Sequence, residues 1–308
     1  MVPIHLSLHE PADHDRVNST LLKKISDVLL RSKRIIFITG AGISRSSGIP
    51  DFRSPGGIYH TSKSHKIPGA LLGRDVFSAH SMENSNSRSQ FYCFIADLKT
   101  LADGAQPSPT HHFIDSLGTQ GKILRSYTQN IDGLEKKAGL LNQDRYISSE
   151  IPSTSRSSKC VELHGNIHSV RCTLCSSKYE CTAEILARFH KGDGSKCPEC
   201  LTRVEQRKMY RKHPISVGML RPDVLLYEEH NPVGEEVLKQ IKQDLALHPD
   251  LLIIMGTSLR IPEVKKMVKS FAVSMKVSSG ARNILSRDRD PKQSQNPPEI
   301  WIRLTTAV

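Results

Sequence analysis

The sequence predicts an α/β protein: a Rossmann-like, doubly wound parallel sheet with a small inserted zinc-ribbon module. Three observations carry this expectation. The apolar run Ile35–Thr39 feeds directly into a glycine loop, Gly40-Ala41-Gly42. Further short apolar runs alternate with helical patterns, the arrangement that builds a buried parallel sheet. Two C-x-x-C pairs, Cys172/Cys175 and Cys197/Cys200, interrupt that alternation.

The elements follow in order. Residues 19–34 place Leu22, Ile25, Val28 and Leu29 at helical spacing, with Ser19 or Thr20 as N-cap. The strand and glycine loop come next, with another helix expected after the loop. Residues 122–128, 161–163, 224–227 and 251–256, together with the run 283–285, read as further strands of the same sheet, and residues 235–247 as a helix between two of them. Residues 80–90 and 148–159 are polar and serine-rich and read as loops. The first 17 residues read as a flexible tail, residues 18–285 as the catalytic domain with its module at about 166–216, and residues 286–308 as a polar tail too charged and proline-rich to pack.

Composition narrows the class. The chain has 308 residues, enough for one large domain and a smaller module. Its apolar runs fall far short of the ~20 residues a membrane helix needs. The first residues lack both a basic region and an apolar core, so they do not read as a signal peptide. The net charge of +12 permits a nucleic-acid-bearing partner. Four of seven cysteines fall in the two pairs, which without a secretory signal favours metal over disulfides.

The spacing C-x2-C-x21-C-x2-C lets each pair sit on a tight turn with both sulfurs facing one ion. Four thiolates close a tetrahedron and leave no position for water, so the expected metal is structural Zn2+ on Cys172, Cys175, Cys197 and Cys200. Cys181 reads as a spare thiol, and Cys93 and Cys160 as buried small apolar residues.

The glycine loop alone is a weak signal. Gly40 and Gly42 allow close approach of backbone to a pyrophosphate. A hydride-transfer enzyme would also carry an acidic residue about twenty positions further on, and residues 58–69 hold none. Three other clusters redirect the reading: Gln129, Asn130, Ile131 and Asp132 after one strand, His164 after another, and Gly256, Thr257 and Ser258 after a third. In an open α/β sheet all of them converge on one crevice with the glycine loop.

Taken with GAGIS, GIPDFR and the four cysteines, these motifs make the chain resemble the sirtuins, NAD-dependent protein lysine deacylases, from about Arg34 to Val268. GMLRPDVLLYEEHNP and GTSLRIPEVKKMVK resemble the fungal nuclear subgroup acting on histone H3. The resemblance implies that NAD is cleaved at its nicotinamide–ribose bond. The acetyl-lysine oxygen takes the ribose, and nicotinamide, free lysine and O-acetyl-ADP-ribose result. It assigns cofactor contacts to Gly40, Ala41, Gly42, Ser44, Ile49, Asp51, Phe52, Arg53, Gln129, Asn130, Ile131, Asp132, Gly256, Thr257 and Ser258. His164, Asn130 and Asp132 are its catalytic residues. Asn130 and Asp132 would bind the carboxamide, Phe52 would exclude water, and His164 would take a proton from a ribose hydroxyl. Val224, Leu225 and Tyr227 would pair with substrate as an added strand.

The implied partner is acetylated histone in nuclear chromatin, H3 in particular, with no membrane. The basic stretch 203–212 offers a contact to nucleosomal DNA. Two departures stand out. Glu228 precedes Glu229 where the family has Gly-Glu, and Ser286 and Arg287 stand where it has a ribose-contacting Asn. The second leaves open a catalytically impaired chromatin scaffold. A mono-ADP-ribosyltransferase would use the same NAD site.

Overall fold

The structure, a computed structural model, describes residues 4–6, 14–51, 73–140, 159–229, 231, 234–278 and 302–304. Strands β2 (Ile35–Thr39), β3 (Ile123–Thr128), β4 (Cys160–Glu162) and β8 (Leu251–Met255) form an all-parallel sheet in the order β4-β3-β2-β8. Ile35 pairs with Leu251 on one side and Ile123 on the other.

Both faces of this sheet are covered, so the central strand β2 and its neighbour β8 are apolar along nearly their whole length rather than alternating. Ile36 and Ile38 face a core with Ile241 of the helix Gly234–Ala246 and with Val264, Met267 and Phe271 of the helix Pro262–Ser278. Ile35 and Phe37 face the opposite layer, against Ile114 and Leu117 of the helix Pro109–Thr119. A buried ion pair fixes one helix to the sheet. Arg125 donates from Nε and Nη2 to both carboxylate oxygens of Asp244 at 3.0 and 2.9 Å, and the Tyr127 hydroxyl donates to Asp244 at 2.6 Å. Removing one partner of such a pair costs ~3–5 kcal/mol, because the other charge is left buried alone.

A second, antiparallel sheet has the order β6-β5-β7, built from β5 (Gly165–Cys172), β6 (Lys178–Glu180) and β7 (Leu220–Val224). Its core reaches onto the long helix Ser85–Gly104, where Tyr92 stacks on Phe189 with ring centroids 4.8 Å apart. Among the described residues no helix is long and apolar enough to cross a membrane.

Several expectations need correction. Residues 224–227 were expected in the parallel sheet. Instead the strand is β7, an edge strand of the antiparallel sheet, with Val224 at its end. Pro222 offers no N–H and suits an edge. The first helix spans His14–Arg31 and so reaches back into the expected tail. Short strands β1 (Ile4–Leu6) and β9 (Ile302–Leu304) pair in parallel within the two stretches read as tails. A 3-10 segment, Ala41–Ser47, stands where a helix was expected after the glycine loop. The polar stretch 80–90 is not a loop: a helix starts at Ser85, and the Asn84 side chain caps it by accepting from Ser87 N at 2.8 Å. The run 283–285 and residues Ser286 and Arg287 lie outside the described residues.

Candidate functional site

The chain enters the parallel sheet at β2, adds β3 and β4 on one side, then crosses to add β8 on the other. The order therefore reverses between β2 and β8, and crevices at such switch points bind ligands at the carboxyl ends of the strands. Gly40 follows β2 and Gly256 follows β8, directly at this switch.

The glycines first serve to bring the two loops together. Gly42 N donates to Gly256 O at 2.9 Å, and Gly40 N to Met255 O at 3.0 Å. A Cβ on Gly40 would lie 2.7 Å from Thr257 Cβ, and one on Gly42 2.8 Å from Gly256 Cα. Gly256 itself has φ +65°, and its Cβ would meet Ile43 N at 2.5 Å. Only glycine fits this clasp. Gln129, after β3, ties the third loop in: its Nε2 donates to Thr39 O at 3.1 Å and to Thr257 Oγ1 at 2.9 Å.

Below the clasp lies a buried polar cluster. Asp132 accepts from Ser44 Oγ at 2.7 Å and from Leu134 N at 3.0 Å. Asn130 Nδ2 donates to Gly40 O and Ser44 Oγ, both at 3.3 Å. The bond to a carbonyl fixes which end of the amide carries the nitrogen. Its Oδ1 is buried and has no partner among the described residues, an acceptor fitted to a ligand's N–H. Burial raises the pKa of Asp132, while its hydrogen bonds from Leu134 and Ser44 oppose the shift. That orphan acceptor beside a carboxylate suits the N–H donors of a ligand's carboxamide.

His164 follows β4. Its Nδ1 lies 3.0 Å from Gln129 O. A carbonyl only accepts, so Nδ1 carries the hydrogen and Nε2 the lone pair. Burial lowers the pKa of this half-buried ring, partly offset by the bond to Gln129. The imidazole is therefore neutral near pH 7, the state a general base needs.

The remaining expected residues divide. Ile49 and Ile131 are buried in the core shared with the smaller sheet. Asp51 sits 3.7 Å from Arg45 Nε. Ala41 lines the 3-10 turn. Ser258 is exposed and stays outside the polar cluster. Phe52 and Arg53 lie outside the described residues. The segment from Val224 runs beside His164, with Leu225 N donating to His164 O at 3.0 Å. Leu226 N donates to Glu229 Oε2 at 3.1 Å and Tyr227 N to Phe77 O at 2.6 Å. The carbonyls of Val224, Leu226 and Tyr227 are taken as well, by Arg221 Nη2 at 2.8 Å, Glu229 N at 3.3 Å and Ala79 N at 3.0 Å. Glu228 occupies the left-handed region at φ +68°, where glycine is at ease.

Two buried residues escaped the sequence reading. Glu135 accepts from the Thr128 and Thr39 hydroxyls at 2.6 and 3.2 Å, and burial together with the charge of Asp132 pushes its pKa up to about 8. His111 accepts at Nδ1 from Ser108 N at 3.0 Å, and burial pushes its pKa down to about 4. One ligand atom from each of His111, Asp132 and Glu135 lies within 4.8 Å of the others. The Ser108 capping position was a visible signal for His111, but nothing local marks Glu135.

The four cysteines meet as well. Cys172 ends β5, Cys197 caps the helix Pro198–Met209, and Cys200 lies in its first turn. Cys172 and Cys200 sulfurs are 3.7 Å apart, and Cys175 and Cys197 sulfurs 3.6 Å. Thiolates bound tetrahedrally at the usual zinc distance stand ~3.8 Å apart. Leu174 N and Cys175 N both point at Cys172 Sγ, at 3.3 and 3.4 Å, as donors to a thiolate. The cluster fits a zinc ion.

A glycine clasp at the switch point, a buried polar cluster beside a neutral histidine and a four-thiolate module define a dinucleotide-binding α/β protein with a structural metal module. The chain belongs to the Sir2 family, whose model matches residues 40–263. It is 36% identical over 267 residues to the NAD-dependent histone deacetylase HST3 of Candida albicans, covering 85% of this chain and 54% of that protein. It is 33% identical over 283 residues to the NAD-dependent protein deacetylase hst4 of Schizosaccharomyces pombe, covering 92% and 66%. The chain thus spans between about half and two thirds of the length of these relatives. Among solved structures it resembles a Sir2 protein with a deacetylated p53 peptide and 3'-O-acetyl ADP ribose, at TM-score 0.59 and 26% identity, covering 82% of this chain and 83% of that one. It also resembles a Sir2 complex with p53 peptide and NAD+, at TM-score 0.58 and 25% identity, with coverage of 82% and 83%.

Proposed function

We propose that the protein is an NAD-dependent protein lysine deacetylase acting on acetylated histones in the nucleus, H3 among them. The observation that carries this is the neutral, Nδ1-protonated His164 beside a cluster holding the orphan acceptor of Asn130. When bound, NAD supplies the ribose that accepts the acyl group as nicotinamide leaves. The glycine clasp and Gln129 hold the loops that receive the dinucleotide. Asn130 and Asp132 orient the carboxamide, and Ser44 fixes Asp132 by hydrogen bond. His164 Nε2 takes a proton from a ribose hydroxyl, because its Nδ1 is occupied by a carbonyl. The four cysteines would hold zinc as a closed structural site with no position open for water. The histone deacetylase relatives support the substrate class.

The test incubates the protein with NAD and an acetylated H3 peptide and follows nicotinamide and peptide mass. Deacetylated peptide with stoichiometric nicotinamide is expected. Label transferred to protein would replace this reading with mono-ADP-ribosylation, and no nicotinamide would leave a chromatin scaffold.

The helix Pro198–Met209 and the residues after it add a DNA contact to this reading. Arg203, Lys208, Arg211 and Lys212 are exposed, and Lys212 lies over the Tyr210 ring at 5.8 Å. Replacing Arg207, Lys208, Arg211 and Lys212 with Ala should weaken nucleosome binding and flatten its salt dependence, by about one unit of slope for each phosphate no longer neutralised. An unchanged slope would leave these residues as solvated surface.

A further inference from the structure

The turn bearing Asn130 and Asp132 is gripped from outside the parallel sheet. His168 lies on β5, and its Nε2 is 2.8 Å from the Asp132 carbonyl oxygen. The carbonyl can only accept, so Nε2 carries the hydrogen. On the other side of the ring, Nδ1 lies 3.4 Å from Lys99 Nζ. An oxygen of Asp103 also stands 3.5 Å from Nδ1, so the Lys99–Asp103 pair borders this side of the ring.

Lys99 is itself a fixed group. It is 7% exposed on the long helix Ser85–Gly104, and Asp103 accepts from it at 3.0 and 2.8 Å. The ring also closes over Gly133, the next residue of the turn, which has φ +73°. A Cβ there would meet two ring atoms at 2.7 Å, so glycine admits the histidine. One position earlier on β5, Ile167 N donates to Ile131 O at 3.0 Å. Two successive residues of the smaller sheet thus bind two successive carbonyls of the turn, one by backbone and one by side chain.

We propose that His168 is a positioning residue that holds the Asn130–Asp132 turn in its ligand-binding shape, with the Lys99–Asp103 pair bracing the other side of its ring. The proposal rests on the reading of that turn as the nicotinamide end of the NAD site. It also connects two parts of the molecule, because β5 ends at Cys172 and so couples the metal module to the turn.

The test compares NAD with ADP-ribose, which lacks nicotinamide, as calorimetric ligands for the zinc-loaded chain. His168→Phe keeps the size of the ring and removes both polar atoms. It should weaken NAD binding about tenfold, the effect of one hydrogen bond and some disorder, and leave ADP-ribose binding unchanged. His168→Gln restores a donor and an acceptor and should recover most of the NAD affinity. Equal loss of both ligands in the Phe variant, or no recovery with Gln, would overturn the proposal. If the Phe variant does not fold, Lys99→Met gives the same reading: a fall in the NAD to ADP-ribose affinity ratio supports the tether, and an unchanged ratio overturns it. Failure of the unaltered chain to bind NAD would instead sink the function proposed above.

Discussion

The crevice at the sheet switch point and the four-cysteine module handle buried polar atoms in opposite ways. In the module the sulfurs face one another at 3.6 and 3.7 Å, and backbone N–H groups point at Cys172. Such a site is complete once its ion is present. In the crevice Asn130 Oδ1 has no partner among the described residues, Asp132 and Glu135 have raised pKa values, and His164 is held neutral. These groups are stabilised only in part by the protein, which is the condition of a site waiting for a ligand. A closed polar site contributes to folding, and an open one draws on stability built elsewhere.

The largest expected effect tests the closed half of this contrast. Cys172→Ser should lose zinc, aggregate and be inactive together, because zinc modules draw folding energy from the metal, roughly 10–16 kcal/mol in small peptides. Helix content by circular dichroism and zinc by atomic absorption read it out. A folded variant with full zinc would remove Cys172 from the ligand set. The module packs on the helix Ser85–Gly104 through Tyr92 and Phe189, so the damage should spread into that core.

The open half should behave differently. His164→Ala is expected to slow deacetylation by about 10²–10⁴ while the melting temperature stays close to that of the unaltered protein. In the unaltered protein, kcat/KM should fall as pH drops, with an apparent pKa below the usual histidine value, because burial lowers it. A limb above that value, or retained activity in the Ala variant, would take His164 out of the proton transfer.

What the sequence made legible follows the same division. Strands β2 and β8 announce themselves as apolar runs because both faces of the sheet are buried. The cysteine pairs are legible because metal ligands on tight turns must be close in sequence. The strand ending at Val224 misled, since an apolar run beside a parallel sheet looks like another of its strands until Pro222 is weighed. The helix from Ser85 was hidden by its polar first turns, in which Ser85 and Asn86 are exposed while Ser87 is buried beside the Asn84 cap. Glu135, His111 and His168 were not legible as parts of one site. They come from a short helix, a helix cap and another sheet, and only the fold sets them around Asp132.

The smallest expected effect separates burial from function within the crevice. Glu135 is 3% exposed, with Thr39 and Thr128 hydroxyls donating to one oxygen. Its folded pKa of about 8 lies above the ordinary carboxyl value of 4.5. The folded protein therefore holds a proton that the unfolded chain gives up. The stability this contributes is full below pH 4.5 and is lost as pH rises toward 8. Glu135→Gln cannot ionise, so it should match the unaltered protein near pH 5 and be more stable than it near pH 8. His111, with its pKa pushed down to about 4, works in the opposite direction, losing stability as pH falls. One pKa unit corresponds to about 1.4 kcal/mol, or roughly 2 °C in melting temperature for a chain of 308 residues. Melting curves of the two proteins from pH 5 to 8.5 give the difference directly. A gap that widens with pH places the proton on Glu135. A gap that stays constant means the carboxyl is ionised throughout, and the charge beside Asp132 must then be balanced by a group other than this proton.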